Sequence, residues 1–468
     1  MHSGGSIPAG RFSSRREPLR HITFVRPNLG EGLPADAMTP LVFSILKART
    51  PCDVATTLVD ERVEPFRMVR TDLAAITVET FTARRGYEIA AMYRRAGVPV
   101  VIGGHHPSML PDEALRHADA VVVGDAEGAW EGVLADARAG RLQPLYRSAP
   151  GQGGRPVYDR SIFAGKRYAP ISLVQVGRGC RFNCDFCSIH AFYGTYRDQR
   201  DPADVVAELR TLPARRLVFF VDDNLYGDRD GLERLLRALV PLRRRWCCQI
   251  TIDVARDDAL LDLMARAGCA LALIGFESLD RESLAQMRKK WNHAAGSYED
   301  VIRRFHARGI MIYGTFVFGY DADEAASFDR AAAFARAQGL CIANFNPLTP
   351  MPGTALFDRL RREGRLLRDG WWLDSSYRYG DSIFEPRSMT AAELSEGPMR
   401  ARRYFYGWPS ILSRAARGIL RWRDPRQVGT MLLGNWISRR EIFRKQGRPL
   451  AGRAGAEGAR VAGAGACP

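Results

Sequence analysis

Gly177-Arg178-Gly179-Cys180-Arg181-Phe182-Asn183-Cys184-Asp185-Phe186-Cys187 follows directly on the apolar run Ile171 to Val176 and spaces three cysteines C-x3-C-x2-C. Thiolate sulfur is a soft ligand, and three thiolates on one short loop grip three corners of a soft metal centre. An iron–sulfur cube has four irons, so this loop would leave one iron open to bind and reduce a further molecule. Two other readings stand beside it. One is a structural zinc, with His190 completing a Cys3His set; the other is a group of cysteines that bind nothing. Zinc sites usually draw on two separated pairs, whereas these three ligands share a single loop.

The chain around the loop is long enough, at 468 residues, for two or three domains that each bury a core. Its hydrophobic share of 46% and charged share of 26% are those of an ordinary globular protein. No apolar run approaches the ~20 residues of a membrane span, and Met1 to Pro18 carries no apolar signal core. A cytoplasmic location is expected. Three of the nine cysteines lie in the loop. The others (Cys52, Cys247, Cys248, Cys269, Cys341 and Cys467) show no disulfide-framework spacing, which points to a reducing compartment. The net charge of +16 invites a nucleic-acid partner, but only five of the 68 basic residues are lysine. Such a skew, beside abundant alanine and glycine, reads as codon bias, and a nucleic-acid substrate is not expected.

Residues 1–20 read as a disordered leader. From 21 to 140, short apolar strands (His21–Val25, Val54–Val59, Leu73–Val78, Val98–Ile102, Ala120–Val123) alternate with helical stretches such as Arg84–Ala96, which Gly97 ends. This alternation predicts an α/β domain with a doubly wound, Rossmann-like parallel sheet. Ligands of such sheets sit beyond the carboxyl ends of the strands. There the sequence places Thr80 and Thr82, then Gly103, Gly104 and His105, then Gly124 and Glu127. Glycines let a backbone approach a bulky ligand closely, although each of these stretches also reads as an ordinary tight turn.

Residues 141–170, rich in glycine and proline, read as a linker. Over 171–352 six strand-and-helix units follow, with strands Ile171–Val176, Leu217–Val221, Gln249–Ile252, Leu271–Gly275, Ile310–Phe318 and Leu340–Phe345. Asp257 and Ser297 are candidate helix caps. Polar residues recur just after the strands, where barrel enzymes gather their chemistry: Asp222, Asp223 and Asn224 after the second, Asp253 after the third, Glu277 at the fourth, Gly319 after the fifth. Six units close only part of a (β/α) barrel. Residues 353–445 read as a helical region, aromatic and basic at Trp371, Trp372, Tyr377, Tyr379 and Arg402 to Trp422. A lid over the open barrel edge, an interfacial helix touching a membrane with a lipid-like substrate, and plain helix packing with a solvated arginine face all fit it. Residues 446–468 read as a disordered tail.

The cysteine loop, with Phe186 just before the last cysteine and a strand leading in, resembles the radical S-adenosylmethionine (radical SAM) superfamily. The resemblance implies that Cys180, Cys184 and Cys187 hold a [4Fe-4S] cluster, that SAM chelates the open iron, and that one electron cleaves SAM to a 5′-deoxyadenosyl radical. A donor such as flavodoxin or ferredoxin would supply the electron. Phe186 would lie against the adenine, an aromatic face stacking on a base. Asp222, Asp223 and Asn224 stand where the superfamily contacts the SAM amino group, although its Gly-Gly-Glu is replaced. Glu277 stands where relatives touch the ribose or carboxylate. Gly319 also fits the pattern, whereas Met351 stands where relatives often carry tyrosine. The stretch from Val98 to Trp130 resembles the cobalamin-binding domain that precedes the radical domain in one large subfamily. Thr80, Thr82, Gly103, Gly104, His105, Gly124 and Glu127 would then contact cobalamin. The D-x-H-x-x-G motif is absent, so the implied cobalamin is base-off with no protein histidine on cobalt. The reading that follows is a cobalamin-dependent radical SAM enzyme that methylates an unactivated carbon of a small-molecule or lipid-like substrate. Its rivals are a ring-forming or rearranging enzyme of the same family and, from a different class, a zinc-stabilised basic nucleic-acid-binding protein.

Overall fold

The computed structural model describes residues 19–30, 32–421 and 425–450. The leader and tail expected at the two ends lie outside these residues except at their inner edges. The first sheet contains β1 (His21–Arg26), β2 (Ala55–Asp60), β3 (Leu73–Thr77), β4 (Val100–Gly103), β5 (Ala120–Val123) and β6 (Leu145–Arg147). All six strands are parallel, in the order β2-β1-β3-β4-β5-β6. The winding reverses beside β1, so a crevice forms at the carboxyl ends of the strands. Successive side chains of a strand point to opposite faces. Accordingly Phe24 packs with Phe43 and Trp130 on one face, and Val25 packs with Tyr87 and Ile89 on the other. Burial on both faces explains why β5 is four consecutive apolar residues. The helix Ala83–Arg95 ends as expected, with Gly97 in the left-handed region at φ 76°.

One expectation needs correcting here. The stretch 141–170 is not a free linker, because Leu145 to Arg147 pair with Val121 to Val123 as the sixth strand. Three residues are too few for alternation to announce a strand. The remainder of the stretch is fastened to both domains: Tyr168 donates to Asp60 Oδ2 at 2.9 Å and the Ala169 amide to the Ala37 carbonyl at 2.8 Å, while Arg160 donates to Glu208 at 2.6 Å and to the Leu173 carbonyl at 2.8 Å.

The second sheet begins with β7 (Ile171–Val174). A short antiparallel pair, β8 (Gly177–Arg178) and β9 (Asp198–Gln199), brackets the cysteine loop. Then come β10 (Leu217–Phe220), β11 (Trp246–Gln249), β12 (Cys269–Glu277), β13 (Met311–Phe318) and β14 (Ile342–Pro347). Its order, β7-β10-β11-β12-β13-β14, follows the chain, and every neighbouring pair is parallel: a partial (β/α)6 barrel. Asp257 and Ser297 cap their helices, accepting from the amides of Leu260 at 2.9 Å and Asp300 at 3.1 Å. The third strand lies three residues earlier than the sequence suggested. Arg243, left-handed at φ 49°, turns the chain into it, and Ile252–Arg256 forms a 3-10 turn instead. Cys247, Cys248 and Cys269 are buried in the strands, and Cys341 just before β14, as small apolar residues.

The helices Ala355–Arg362, Ala391–Phe405, Trp408–Arg421 and Pro425–Lys445 complete the molecule. Tyr406 donates to the Ala343 carbonyl at 2.9 Å, fixing this region along β14. Trp371, Trp372 and Tyr377 are buried between barrel and first sheet; Trp372 donates to Glu113 at 3.0 Å. No helix among the described residues is long and apolar enough to cross a membrane.

Candidate functional site

The cysteine loop is held from behind by strand ends of the barrel. Asp222, at the end of β10, accepts from the amides of Val176 (3.1 Å) and Gly177, and Asp223 accepts from Gly179 at 2.9 Å. Gly179 is left-handed at φ 76°, and a Cβ there would overlap the Tyr196 carbonyl. Asn224 accepts from the Thr251 amide at 3.1 Å while its Nδ2 lies 3.9 Å from Cys180 Sγ. Arg181 ion-pairs with Asp253 after β11. Asp185 accepts from Tyr320 Oη at 2.5 Å, and its carbonyl accepts from the Leu356 amide at 2.9 Å. The loop is therefore tied at nearly every residue, and its three cysteines stay free and half-buried on one side.

Burial pushes the Cys184 thiol up to about 12, against which the Lys289 ammonium acts. Burial also raises Cys187, opposed by the backbone N–H groups of His190 and Ile189. Lys289 donates to Glu277 Oε1 at 2.7 Å and to the Gly275 carbonyl at 3.0 Å, and Thr315 reaches Glu277 Oε2 at 3.3 Å. Glu277 is left-handed at φ 62°, at a register shift between β12 and β13. A non-glycine residue stays in that region only where its surroundings hold it, here through Lys289 and Thr315.

Three cavities flank the loop. One, of about 420 Å³, is lined by Gly177 to Arg181, Asp222 and Asn224. Another, of about 350 Å³, is bounded by Phe186 and Cys187, by Val317 and Asn346 at the ends of β13 and β14, and by Tyr379 and Arg402. The third, of about 370 Å³, opens at the carboxyl ends of β3, β4 and β5. Gly103, Gly104, His105, Gly124 and Glu127 all line it, and from the loop side so do Arg178, Phe192 and Tyr193. Thr80 and Thr82 do not line it. They form a 3-10 turn, in which Thr82 Oγ1 accepts from the Glu79 amide at 3.1 Å. Gly319 lines none of the three: at φ 123° it packs against Phe384 and Leu394.

Residues 174–330 match the Radical SAM superfamily. The bacteriochlorophyllide d C-12(1)-methyltransferase of Chlorobaculum tepidum is 30% identical over 365 residues, covering 75% of this chain and 78% of that protein. The chain belongs to the cobalamin-dependent radical SAM family. The same organism's bacteriochlorophyllide d C-8(2)-methyltransferase is 29% identical over 320 residues, 64% of this chain and 70% of its own. The fold is shared with the radical SAM methyltransferase TsrM from Kitasatospora setae, solved with cobalamin and a [4Fe-4S] cluster, at TM-score 0.60 and 18% identity over 91% of this chain and 99% of that one.

The donor chemistry of this radical SAM chain fits the family's cofactors. Among the described residues no group of three or more His, Cys, Asp or Glu side chains is arranged to hold a metal ion. A cube asks for something else, namely separate free thiolates, each on its own iron, and the loop offers three. The first-sheet cavity fits a corrinoid in that Gly103, Gly104 and Gly124 present backbone along part of its lining. Gly104 (φ 116°) and Gly124 (φ 91°) are left-handed, and a Cβ on either would overlap a backbone carbonyl, that of Val78 or Ser148. His105 stacks on Phe192 with ring centroids 4.5 Å apart, and burial lowers its pKa, so a neutral ring faces this cavity.

Sequence reasoning missed the residues that tie the loop to the first domain. Arg178, within the loop, bridges Asp125 at 2.9 Å and Glu127 at 2.5 Å, and Tyr193 donates to Asp125 at 2.9 Å. Lys289 was also missed. The signals existed, an arginine between two loop glycines and a lysine in an arginine-dominated chain, but their partners lie far away in sequence.

Proposed function

We propose that this radical SAM enzyme methylates an unactivated carbon of a small, largely apolar molecule seated beside Cys187. The observation that carries this is the position of one loop between two cavities, with Cys187 and Phe186 on one and Phe192 and Tyr193 on the other. When bound, the cluster supplies the electron that cleaves SAM to a 5′-deoxyadenosyl radical, and cobalamin carries the methyl group.

The residues of the chain bind and orient. Cys180, Cys184 and Cys187 hold the cluster, and Lys289 offsets thiolate charge beside Cys184. Phe186 lies against adenine, and Glu277, paired with Lys289, faces the SAM ribose or carboxylate. Asp222 and Asn224 spend their acceptors on amides, those of Val176 and Gly177 for the first and of Tyr226 and Thr251 for the second. Of the three residues expected at the SAM amino group it is therefore Asp223, bound to Gly179 through Oδ2 alone, whose Oδ1 receives it. Gly103, Gly104, His105, Gly124 and Glu127 receive cobalamin, while Thr80, Thr82 and Gly319 are structural. The electron comes from a small redox protein such as flavodoxin or ferredoxin, in a reducing, cytoplasmic setting.

The helices Trp408–Arg421 and Pro425–Lys445 expose Trp408, Leu412, Ile419, Leu433 and Trp436. This apolar face would let the enzyme rest on a membrane that holds a lipid-like substrate. Failure to co-sediment with anionic vesicles sinks that part alone.

The test of the main reading is anaerobic reconstitution with iron, sulfide and hydroxocobalamin, then SAM and a strong reductant. The expected products are 5′-deoxyadenosine and, with substrate, S-adenosylhomocysteine; only a methyltransferase makes both. Cys184→Ala is expected to abolish SAM cleavage. Undiminished cleavage by that variant overturns the reading.

A further inference from the structure

Arg402, on the helix Ala391–Phe405, is 7% exposed and lines the cavity beside Cys187. Its Nη2 donates to Asn346 Oδ1 at 2.7 Å, and its buried Nε has no partner among the described residues. The groups that act on it electrostatically are the phenols of Tyr379, Tyr406 and Tyr313, and burial leaves its pKa lowered. A buried guanidinium is costly unless its donors are met, and best met by a planar oxyanion that accepts two of them.

The same fold shows what a satisfied buried arginine looks like. Arg414, 2% exposed, donates to the carbonyls of Leu340, Cys341 and Phe405 and to Asn435 Oδ1, all between 2.9 and 3.0 Å. It sits in packed helices and faces none of the cavities described above. Arg402 makes one such bond and faces a cavity whose lining is mostly apolar and aromatic (Phe81, Phe186, Val317, Met351 and two tyrosines), with Ser188, Asn346 and Thr349 as its uncharged polar side chains. Arg402 is the only charged side chain lining it among the described residues.

We infer that Arg402 is a specificity-determining residue that binds an oxyanion, a carboxylate or phosphate, carried by an otherwise flat and apolar substrate in the cavity beside Cys187. This deepens and rests on the assignment of that cavity to the substrate. Asn346 takes one bond from Nη2 and leaves Nε, which meets no acceptor among the described residues, for the ligand. The substrate would thus be anchored at its anionic end while its apolar body lies among Phe81, Met351 and the tyrosines, leaving Phe186 to adenine.

The probe is 1-pyrenebutyrate, a flat apolar body with one carboxylate, compared with uncharged 1-pyrenebutanol by fluorescence titration of the reconstituted full-length protein. The acid is expected to bind at least ~10-fold tighter than the alcohol, and Arg402→Met to erase that preference while Arg402→Lys retains part of it. SAM at saturation is expected not to displace the acid. Equal binding of acid and alcohol by the parent overturns the inference, as does a preference that survives in Arg402→Met. Displacement by SAM overturns it too, since the guanidinium would then belong to the carboxylate of SAM. If the Met variant does not fold, the comparison of acid with alcohol on the parent still decides. Absence of SAM cleavage by the parent would count against the proposed function, and is read separately from probe binding.

Discussion

Asp222 shows how a single carboxylate serves the site by geometry more than by charge. It is fully enclosed, and burial outweighs the two amides it accepts from, lifting its pKa from an ordinary 3.8 to about 7. A carboxyl group whose folded pKa is raised adds stability that is complete below pH ~4 and is lost as pH rises through ~7. The unfolding temperature should therefore fall between pH 5 and pH 8, and the slope should flatten in Asp222→Asn, which cannot ionise; thermal melts at both pH values check this. A parent slope unchanged in the variant would remove Asp222 as its source. Asn224 acts differently, through the amide beside Cys180 Sγ. Outer-shell partners of metal ligands are worth ~10–100-fold in affinity or activity. Asn224→Ala should lower cluster retention, read as iron per chain after desalting, by about that factor, whereas Cys341→Ala, far from the loop, should leave it alone.

Elements, not isolated residues, join the two domains. The cysteine loop sends Arg178 into the pair Asp125 and Glu127 on the turn after β5, and all three side chains are at least 86% buried. Removing one partner of a buried ion pair leaves its charges uncompensated, at a cost of ~3–5 kcal/mol. Arg178→Met should thus destabilise the chain by about 3 kcal/mol and weaken corrinoid retention, whereas a triple change that also neutralises Asp125 and Glu127 should recover part of the loss. Denaturant unfolding and corrinoid absorbance after gel filtration measure both effects. The elements themselves were largely legible beforehand. Runs such as Ala120–Val123 are buried on both faces, so composition alone announces them, and local spacing announces the cysteine loop. The sixth strand, at Leu145–Arg147, was hidden because three residues show no period. Asp222 and Asp223 were found at the correct strand end, but their hold on the loop amides was not legible, because sequence shows position along a strand and not which amide a carboxylate faces. Arg178, Lys289 and Arg402 were illegible as a site, since each is defined by partners or cavities built from distant segments.

At the scale of the molecule, the cavity proposed to receive cobalamin has walls from both units: Gly103 and Gly124 from the first, Gln175 and Arg178 from the entry to the barrel. A ligand bound there contacts a surface that exists only when both units are folded and docked. Binding to the native state alone stabilises by RT ln(1 + [L]/Kd), ~2.7 kcal/mol at one hundred times Kd. For domains of this size that corresponds to a rise of roughly 5–10 °C in unfolding temperature. Hydroxocobalamin should therefore raise the unfolding of the barrel as well as that of the first domain, and bring the two into one transition. Tryptophan fluorescence follows both, through Trp130 in the first domain and Trp246 in the barrel. The Arg178→Met variant should bind less cofactor and show a smaller shift. If cobalamin raised only the transition of the first domain, the cofactor would be held by that domain alone, and the loop between the cavities would be a neighbour to its site and not a wall of it.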